Sequence, residues 1–272
     1  VVDFRKGVMM KEFLLAMSLC CFGSAVQAAV QGKEVSYQAN GTTLKGYIAY
    51  DDAIKGKRPG VLVVHEWWGQ NEYARKRARM LAELGYTALA VDMYGDGKVA
   101  DNPDDAGKLA TEVSKNMTMA KARFEAGMQL LRKQETVDAN EIAAFGYCFG
   151  GGVVLNMARM GEDLKGVASF HGGLGTDHPA QPGKIKARII SFSGEADPVI
   201  GADKVAAFRK EMESAGANYR VVTYPGAKHA FTNPDADELG KKFNMPIAYN
   251  AEADKDSWQQ AKVFLSVVFA AR

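Results

Sequence analysis

Cysteine is scarce in this chain, three residues in 272, and histidine hardly commoner at four. So few thiols exclude a disulfide-stapled scaffold. Four scattered histidines give no spacing that a structural or catalytic metal site would need. Charge of one sign is lacking as well: 34 basic residues face 32 acidic ones, a net +2. That balance leaves no electrostatic footprint for a nucleic acid backbone or an anionic membrane surface. Long apolar runs are also missing. The longest, from Phe13 to Phe22, falls well short of the roughly 20 residues that span a bilayer. Internal repeats and low-complexity tracts are absent, which removes solenoids and linker-rich architectures. What remains, 47% hydrophobic and 24% charged, is the composition of an ordinary globular domain.

The short apolar run has a different meaning. Lys11 follows Met9 and Met10, the run Phe13 to Phe22 comes next, and Ala25-Val26-Gln27-Ala28 closes the segment with small side chains three and one before Ala29. This pattern predicts a secretory signal peptide, so residues 1–28 are read as upstream residues and leader, and 29–272 as a single domain. Leu19 before Cys20, and Cys20 before Cys21, lack the small residue that precedes a lipidated cysteine. The expected location is periplasmic or secreted, with no membrane attachment after cleavage. Cys20 and Cys21 leave with the leader, and Cys148 is then the single thiol of an exported protein.

From Glu34 onward the pattern alternates. Glu34 to Ala39 and Thr42 to Tyr50 flank Asn40-Gly41, a strong hairpin signal. Apolar strand-like runs then recur at Val61 to His65, Thr87 to Val91, Ile142 to Phe145, Val167 to Phe170, Arg188 to Ser193 and Tyr219 to Tyr224. Helical spacing separates them at Asn71 to Leu84, Asp104 to Lys115, Met117 to Gln134, Gly150 to Met160 and Ala202 to Ala215, and Asp254 to Ala271 closes the chain. Alternation of this kind predicts an α/β fold: a mostly parallel sheet, opened by an antiparallel hairpin, with helices on both faces.

In such sheets chemistry gathers at the carboxyl ends of strands. Three polar segments fall there. Gly146-Tyr147-Cys148-Phe149-Gly150 joins a strand to a helix, the form of a nucleophile elbow with cysteine in the serine position. The helix N-terminus behind Cys148 favours a thiolate, the form that attacks carbon. Asp197, in Gly194-Glu195-Ala196-Asp197-Pro198, follows the next-to-last strand, and His229 follows the last. The chain order nucleophile, acid, histidine matches that of α/β-hydrolases. His229 would act as base and then acid, with Asp197 fixing its tautomer. Taken singly, each residue has a plainer reading: a buried structural cysteine, a turn aspartate, a loop histidine. Their joint placement outweighs these.

Glu66 stands out beside them. A carboxylate after four apolar strand residues and before Trp67 and Trp68 is poorly solvated, so its pKa should rise. The alternative is an ion pair with Arg75 or Arg77. His171 reads as a turn histidine. His65-Glu66-Trp67-Trp68-Gly69 is no zinc motif, because glycine stands where H-E-x-x-H requires its second histidine. Gly150-Gly151-Gly152 lacks the spacing of a dinucleotide fingerprint.

Five segments in order, Val64-His65-Glu66-Trp67-Trp68-Gly69, Val91-Asp92-Met93-Tyr94-Gly95, Gly146 to Gly151, Gly194 to Asp197 and Tyr224 to Phe231, make the chain from about Lys33 to Phe269 resemble the dienelactone hydrolase family. The resemblance implies an α/β-hydrolase fold and a Cys148, Asp197, His229 triad that opens an enol ester or lactone, a small-molecule substrate, without metal or organic cofactor. It also implies that Glu66 takes part in activating the thiol and that the N–H groups of Trp67 and Phe149 form the oxyanion hole.

One departure concerns substrate. Family members that open dienelactone carry an arginine shortly after the Asp-x-Tyr segment and another shortly after the histidine. Here Gly95-Asp96-Gly97-Lys98 and Thr232-Asn233 stand in those places. Without a bidentate fork for a substrate carboxylate, only Lys98 could offer a charge. Trp67, Trp68, Tyr94 and Phe231 instead suggest an aromatic wall for an apolar substrate. Two other classes stay open: a class I amidotransferase-like cysteine enzyme, which would need an acid two residues after His229, and a non-catalytic binding protein on the same scaffold.

Overall fold

Asn40 and Gly41 both take positive φ, 48° and 80°, which only such residues adopt cheaply. They fold β1 (Val30–Ala39) back on β2 (Thr42–Asp51) as an antiparallel pair. The computed structural model describes residues 30–270. The expected leader and its cleavage site before Ala29 therefore lie outside the described residues.

Beyond the hairpin, the elements are β3 (Arg58–Val64), α1 (Glu72–Glu83), β4 (Thr87–Val91), α2 (Pro103–Lys115), α3 (Met117–Arg132), β5 (Val137–Tyr147) and α4 (Phe149–Arg159). The chain continues through β6 (Gly166–Phe170), β7 (Arg188–Gly194), α5 (Ala202–Ser214), β8 (Tyr219–Tyr224), α6 (Ala236–Phe243) and α7 (Ala251–Ala270). A single eight-stranded sheet has the order β1-β2-β4-β3-β5-β6-β7-β8. Pairing is antiparallel at β1/β2 and β2/β4 and parallel from β4 to β8.

The wholly apolar strands are explained by two covered faces. In β3, Leu62 and Val64 belong to one core cluster with Phe124 of α3, Val154 of α4 and Phe208 of α5, whereas Val61 and Val63 belong to a second, on the other face, with Ala78 of α1 and Leu265 of α7. Full burial of such a side chain is worth about 1.5–3 kcal/mol, so the central strands anchor the sheet while their loops are left free to carry function. Helix starts follow their capping residues: Asn71, Asn102 and Asn116 accept from the N–H of Ala74, Asp105 and Met119.

Two elements differ from expectation. β5 starts at Val137 rather than Ile142, through the polar stretch Asp138 to Glu141, whose low strand propensity hid it. Pairing of Val137 with Arg58 of β3 holds that extension. Helix α6 was not foreseen, although Asp237 and Glu238 in its first turn, Lys241 and Lys242 in its last and Asn244 in the left-handed region past its end carry the signal.

Candidate active site

The loops at the carboxyl ends of β3, β5, β7 and β8 converge on one spot. Cys148, between β5 and α4, has φ 51° and ψ −114°, a strained conformation that costs on the order of 1–3 kcal/mol. The surroundings enforce it. A Cβ on Gly146 would lie 2.1 Å from the carbonyl oxygen of Gly150, and one on Gly150 would lie 2.3 Å from that of Val64. The turn is tied by Cys148 N–H to Phe170 O at 3.0 Å and Gly150 N–H to His65 O at 3.1 Å. Held this way, Cys148 stands at the head of α4.

His229 Nε2 lies 3.0 Å from Cys148 Sγ, and His229 Nδ1 lies 2.8 Å from Asp197 Oδ2. Asp197 is 3% exposed. Its other oxygen accepts from the N–H of Val199 and Ile200 at 2.7 and 3.1 Å, so the carboxylate cannot rotate away. Burial disfavours a charged His229, but the sulfur of Cys148 and the carboxylate of Asp197 outweigh it and hold the imidazole well above its usual pKa. This favours an imidazolium beside the sulfur.

Glu66 is 3% exposed and accepts a hydrogen bond from Asn233 Nδ2 at 2.7 Å. Burial pushes its carboxyl up to about 7, against the opposing pull of Asn233 and of the positive charges of His229 and Arg77. The alternative pairing with an arginine does not occur: Arg75 pairs with Glu34 and Arg77 with Asp254. With no cation paired to it, burial leaves this carboxyl partly protonated near neutral pH.

Sequence reasoning passed over the residues that brace the histidine loop. Arg77, 3% exposed, donates to Thr232 O at 2.5 Å and to Asp254 at 2.7 Å. The Thr232 hydroxyl meets Tyr73 Oη at 2.6 Å and His171 Nε2 at 2.8 Å. His171 is more than a turn histidine: it has φ 41° and presents a ring edge-on to His229 at 5.4 Å between centroids. Burial, with the charges of His229 and Arg77, drives its pKa well below the usual value, so it stays neutral. His65 behaves alike. Burial lowers it to about 4, its Nδ1 donates to Glu66 O at 2.6 Å, and its Nε2 accepts from Met93 N–H at 3.2 Å.

Among the described residues, neither Trp67 N–H nor Phe149 N–H meets a backbone acceptor in the turns, and both residues line the cavity that holds Cys148. Trp68 lines it too, with its ring tilted on Phe243 at 6.0 Å. The other two expected wall residues, Tyr94 and Phe231, are not in the cavity lining. Tyr94 is buried behind the wall, its hydroxyl donating to Trp67 O at 2.8 Å and its ring against Phe149. Phe231 is fully buried against His171 and Tyr224, because positive φ at Ala230, 60°, turns the chain inward after His229. Lys98 lies outside the cavity lining, its side chain 55% exposed and 3.8 Å from Asp96. No group of three His, Cys, Asp or Glu residues that could hold a metal ion occurs among the described residues.

The cavity has a volume of about 840 Å³. Its walls are mostly apolar, with Val113, Met117, Val153, Met245 and Ile247 among them, and no arginine lines it.

A sheet of this order, with a strained nucleophile turn at the end of β5 and a histidine after the last strand, defines an α/β-hydrolase. Residues 44–269 match the model of the dienelactone hydrolase family, and the chain belongs to that family. It is 31% identical over 223 residues to Protein usf of Aquifex pyrophilus, covering 80% of this chain and 95% of that one. It is 29% identical over 237 residues to an Aquifex aeolicus protein provisionally named a carboxymethylenebutenolidase, covering 86% and 97%. The crystal structure of a dienelactone hydrolase-like promiscuous phosphotriesterase from metagenomic libraries superposes with a TM-score of 0.81 at 31% identity, covering 88% of this chain and 99% of that one. The chain is a hydrolase acting on esters or lactones.

Proposed function

We propose that this hydrolase cleaves a neutral, largely apolar carboxylic ester or lactone through a cysteinyl acyl-enzyme. The observation that carries the reading is the contact chain from Cys148 Sγ through His229 to Asp197, at 3.0 and 2.8 Å. The thiolate of Cys148 adds to the substrate carbonyl carbon, and the oxygen that gains charge is met by the N–H groups of Trp67 and Phe149. The bond to the leaving oxygen breaks as His229 Nε2 gives that oxygen its proton, leaving a thioester. Water then loses a proton to His229 and adds to the thioester carbon, and the acid departs as the thiolate re-forms. Asp197 holds the imidazole throughout. Glu66, protonated below about pH 7, adds no second negative charge beside the thiolate there.

The absence of arginine from the cavity supports a substrate without a carboxylate. The amidotransferase-like alternative lacks its acid, since Phe231 stands two residues after His229. A binding protein would have no use for an activated thiol. Rapid, stoichiometric alkylation of Cys148 by iodoacetamide at neutral pH, with turnover of 4-nitrophenyl esters, is the expected result. An inert thiol and no turnover would leave the binding reading.

We also propose export, from the leader pattern in residues 1–28. Intact-mass measurement on protein recovered from an exporting host should give a chain starting at Ala29. Retention of Cys20, or a lipid adduct, would refute it.

A further inference from the structure

We infer that the cavity end remote from Cys148 is a subsite for an uncharged hydrogen-bond acceptor on the substrate, with the side-chain amide of Asn156 as its donor. The inference rests on the hydrolase reading of Cys148 and names what lies at the other end of the substrate.

Helix α4 starts at Phe149, and Phe149, Gly152, Val153 and Asn156 all line the cavity. Spacings of three, four and seven put them on one helical face. At a rise of about 1.5 Å per residue, Asn156 stands roughly 12 Å along the helix from Cys148. The lining contributed by α2, α3 and α4 is mostly apolar, with Ala110, Val113, Met117 and Val153 in it, so the amide is a polar group in a largely apolar cavity.

Its orientation is fixed by a neighbour one turn on. Arg159 Nη1 donates to Asn156 Oδ1 at 3.1 Å. Arg159 is itself immobile: it is 4% exposed, its Nε and Nη2 each lie 2.8 Å from a different oxygen of Glu211, and Nη2 donates to Leu174 O at 2.7 Å. A guanidinium can only donate, so the amide oxygen must face Arg159. Asn156 Nδ2 is left without a hydrogen-bond partner among the described residues.

The same pair shapes the adjoining wall. Glu211 also accepts from Ala180 N–H at 2.9 Å, which pins the segment whose Gly175, Thr176 and Asp177 border the cavity. Because Glu211 neutralises Arg159, the group formed by Asn156, Arg159 and Glu211 presents an N–H donor and no net positive charge. A ketone, ester or ether oxygen suits it, whereas a carboxylate would find no counter-ion in the neutralised Arg159–Glu211 pair. Lys115 also lines the cavity, exposed at the α2–α3 corner, and the acid-ended ester of the test reads whether it draws a carboxylate.

The test compares esters that differ at one position: 4-nitrophenyl octanoate with 4-nitrophenyl 7-oxooctanoate, and octyl acetate with 7-oxooctyl acetate, so that the ketone is offered on either side of the scissile bond. An acid-ended octanedioate monoester serves as third arm. Affinities are measured by calorimetry on Cys148→Ala and kcat/KM on the protein with Cys148 intact. In one of the two series the ketone should be favoured about fivefold or more. Asn156→Leu should reverse the preference, since the ketone oxygen would be buried unpaired. Asn156→Asp keeps an oxygen for Arg159 but removes the donor, and should lose the preference while keeping the melting temperature. Equal ratios in all three proteins, or a preference for the acid-ended ester, would overturn the subsite. Ketone preference in binding with no turnover by the Cys148-containing protein would overturn the hydrolytic reading and leave the subsite standing.

Discussion

Glu66→Gln should make the protein more stable, and increasingly so as pH rises. Burial lifts the carboxyl from 4.5 to about 7, so between these values the native state binds a proton that the unfolded chain has released. By linkage, stability falls with pH wherever the native state binds more protons. The contribution of protonated Glu66 is therefore fully present below about pH 4.5 and lost as pH climbs through 7. A shift of this size corresponds to on the order of 3 kcal/mol over the whole window, of which about 2 kcal/mol falls between pH 5 and 8. The glutamine amide of the variant would retain an oxygen for Asn233 Nδ2 and carry no charge at any pH, so it would not incur that loss. Urea denaturation of the two proteins at pH 5 and pH 8 reads the difference. The unfolding free energies should diverge in favour of the variant by about 2 kcal/mol. Parallel stability profiles would show that the carboxyl titrates normally and would refute the desolvation argument. The same variant should also lose any ionisation near pH 7 from the kcat/KM profile, because the carboxyl that lines the cavity beside Cys148 no longer titrates.

Three further outcomes are expected. Cys148→Ala should abolish turnover of a 4-nitrophenyl ester and Cys148→Ser should keep a small residual rate, because a hydroxyl is not ionised where a thiolate is; full activity in the alanine variant would move the chemistry elsewhere. Gly150→Ala would bring a Cβ within 2.3 Å of the Val64 carbonyl oxygen, whereas Gly107→Ala in α2 meets nothing within 4 Å. The first should cost several kcal/mol or prevent folding and the second should stabilise slightly, by at most about 1 kcal/mol, with thermal melts of both as the measurement. An acid-bearing lactone and its methyl ester should differ by less than about tenfold in kcat/KM, and Lys98→Ala should leave the ratio unchanged, since Lys98 lies outside the cavity lining. A hundredfold preference for the acid that vanishes with Lys98 would show the opposite.

Local pattern determined a good deal of this protein. The apolar runs Val61 to Val64 and Thr87 to Val91 could only be strands covered on both faces, and Asn40-Gly41 could hardly be anything but a hairpin turn. The elbow was legible because its signal is local: Gly146 and Gly150 stand two positions either side of Cys148, and a Cβ on either would collide with backbone. The order of Cys148, Asp197 and His229 along the chain, each after a strand, was enough to propose that they meet. Where a side chain points after the strand ends was not legible. Phe231 and Tyr94 look like wall residues in the sequence, yet positive φ at Ala230 sends the first into the core, and the hydroxyl of the second is spent on Trp67 O. The partner of Glu66 was equally hidden. Arg75 and Arg77 are near it in sequence, but Asn233, 167 residues away, is near it in space, and only the tertiary packing that buries both could choose a neutral amide over a cation. Sequence determines what depends on neighbours along the chain: periodicity, capping, glycine at a tight turn. Which distant groups share a desolvated space, and therefore which protons are held there, is decided by the fold, because pKa and hydrogen-bond partner depend on burial and on charges that arrive from other strands.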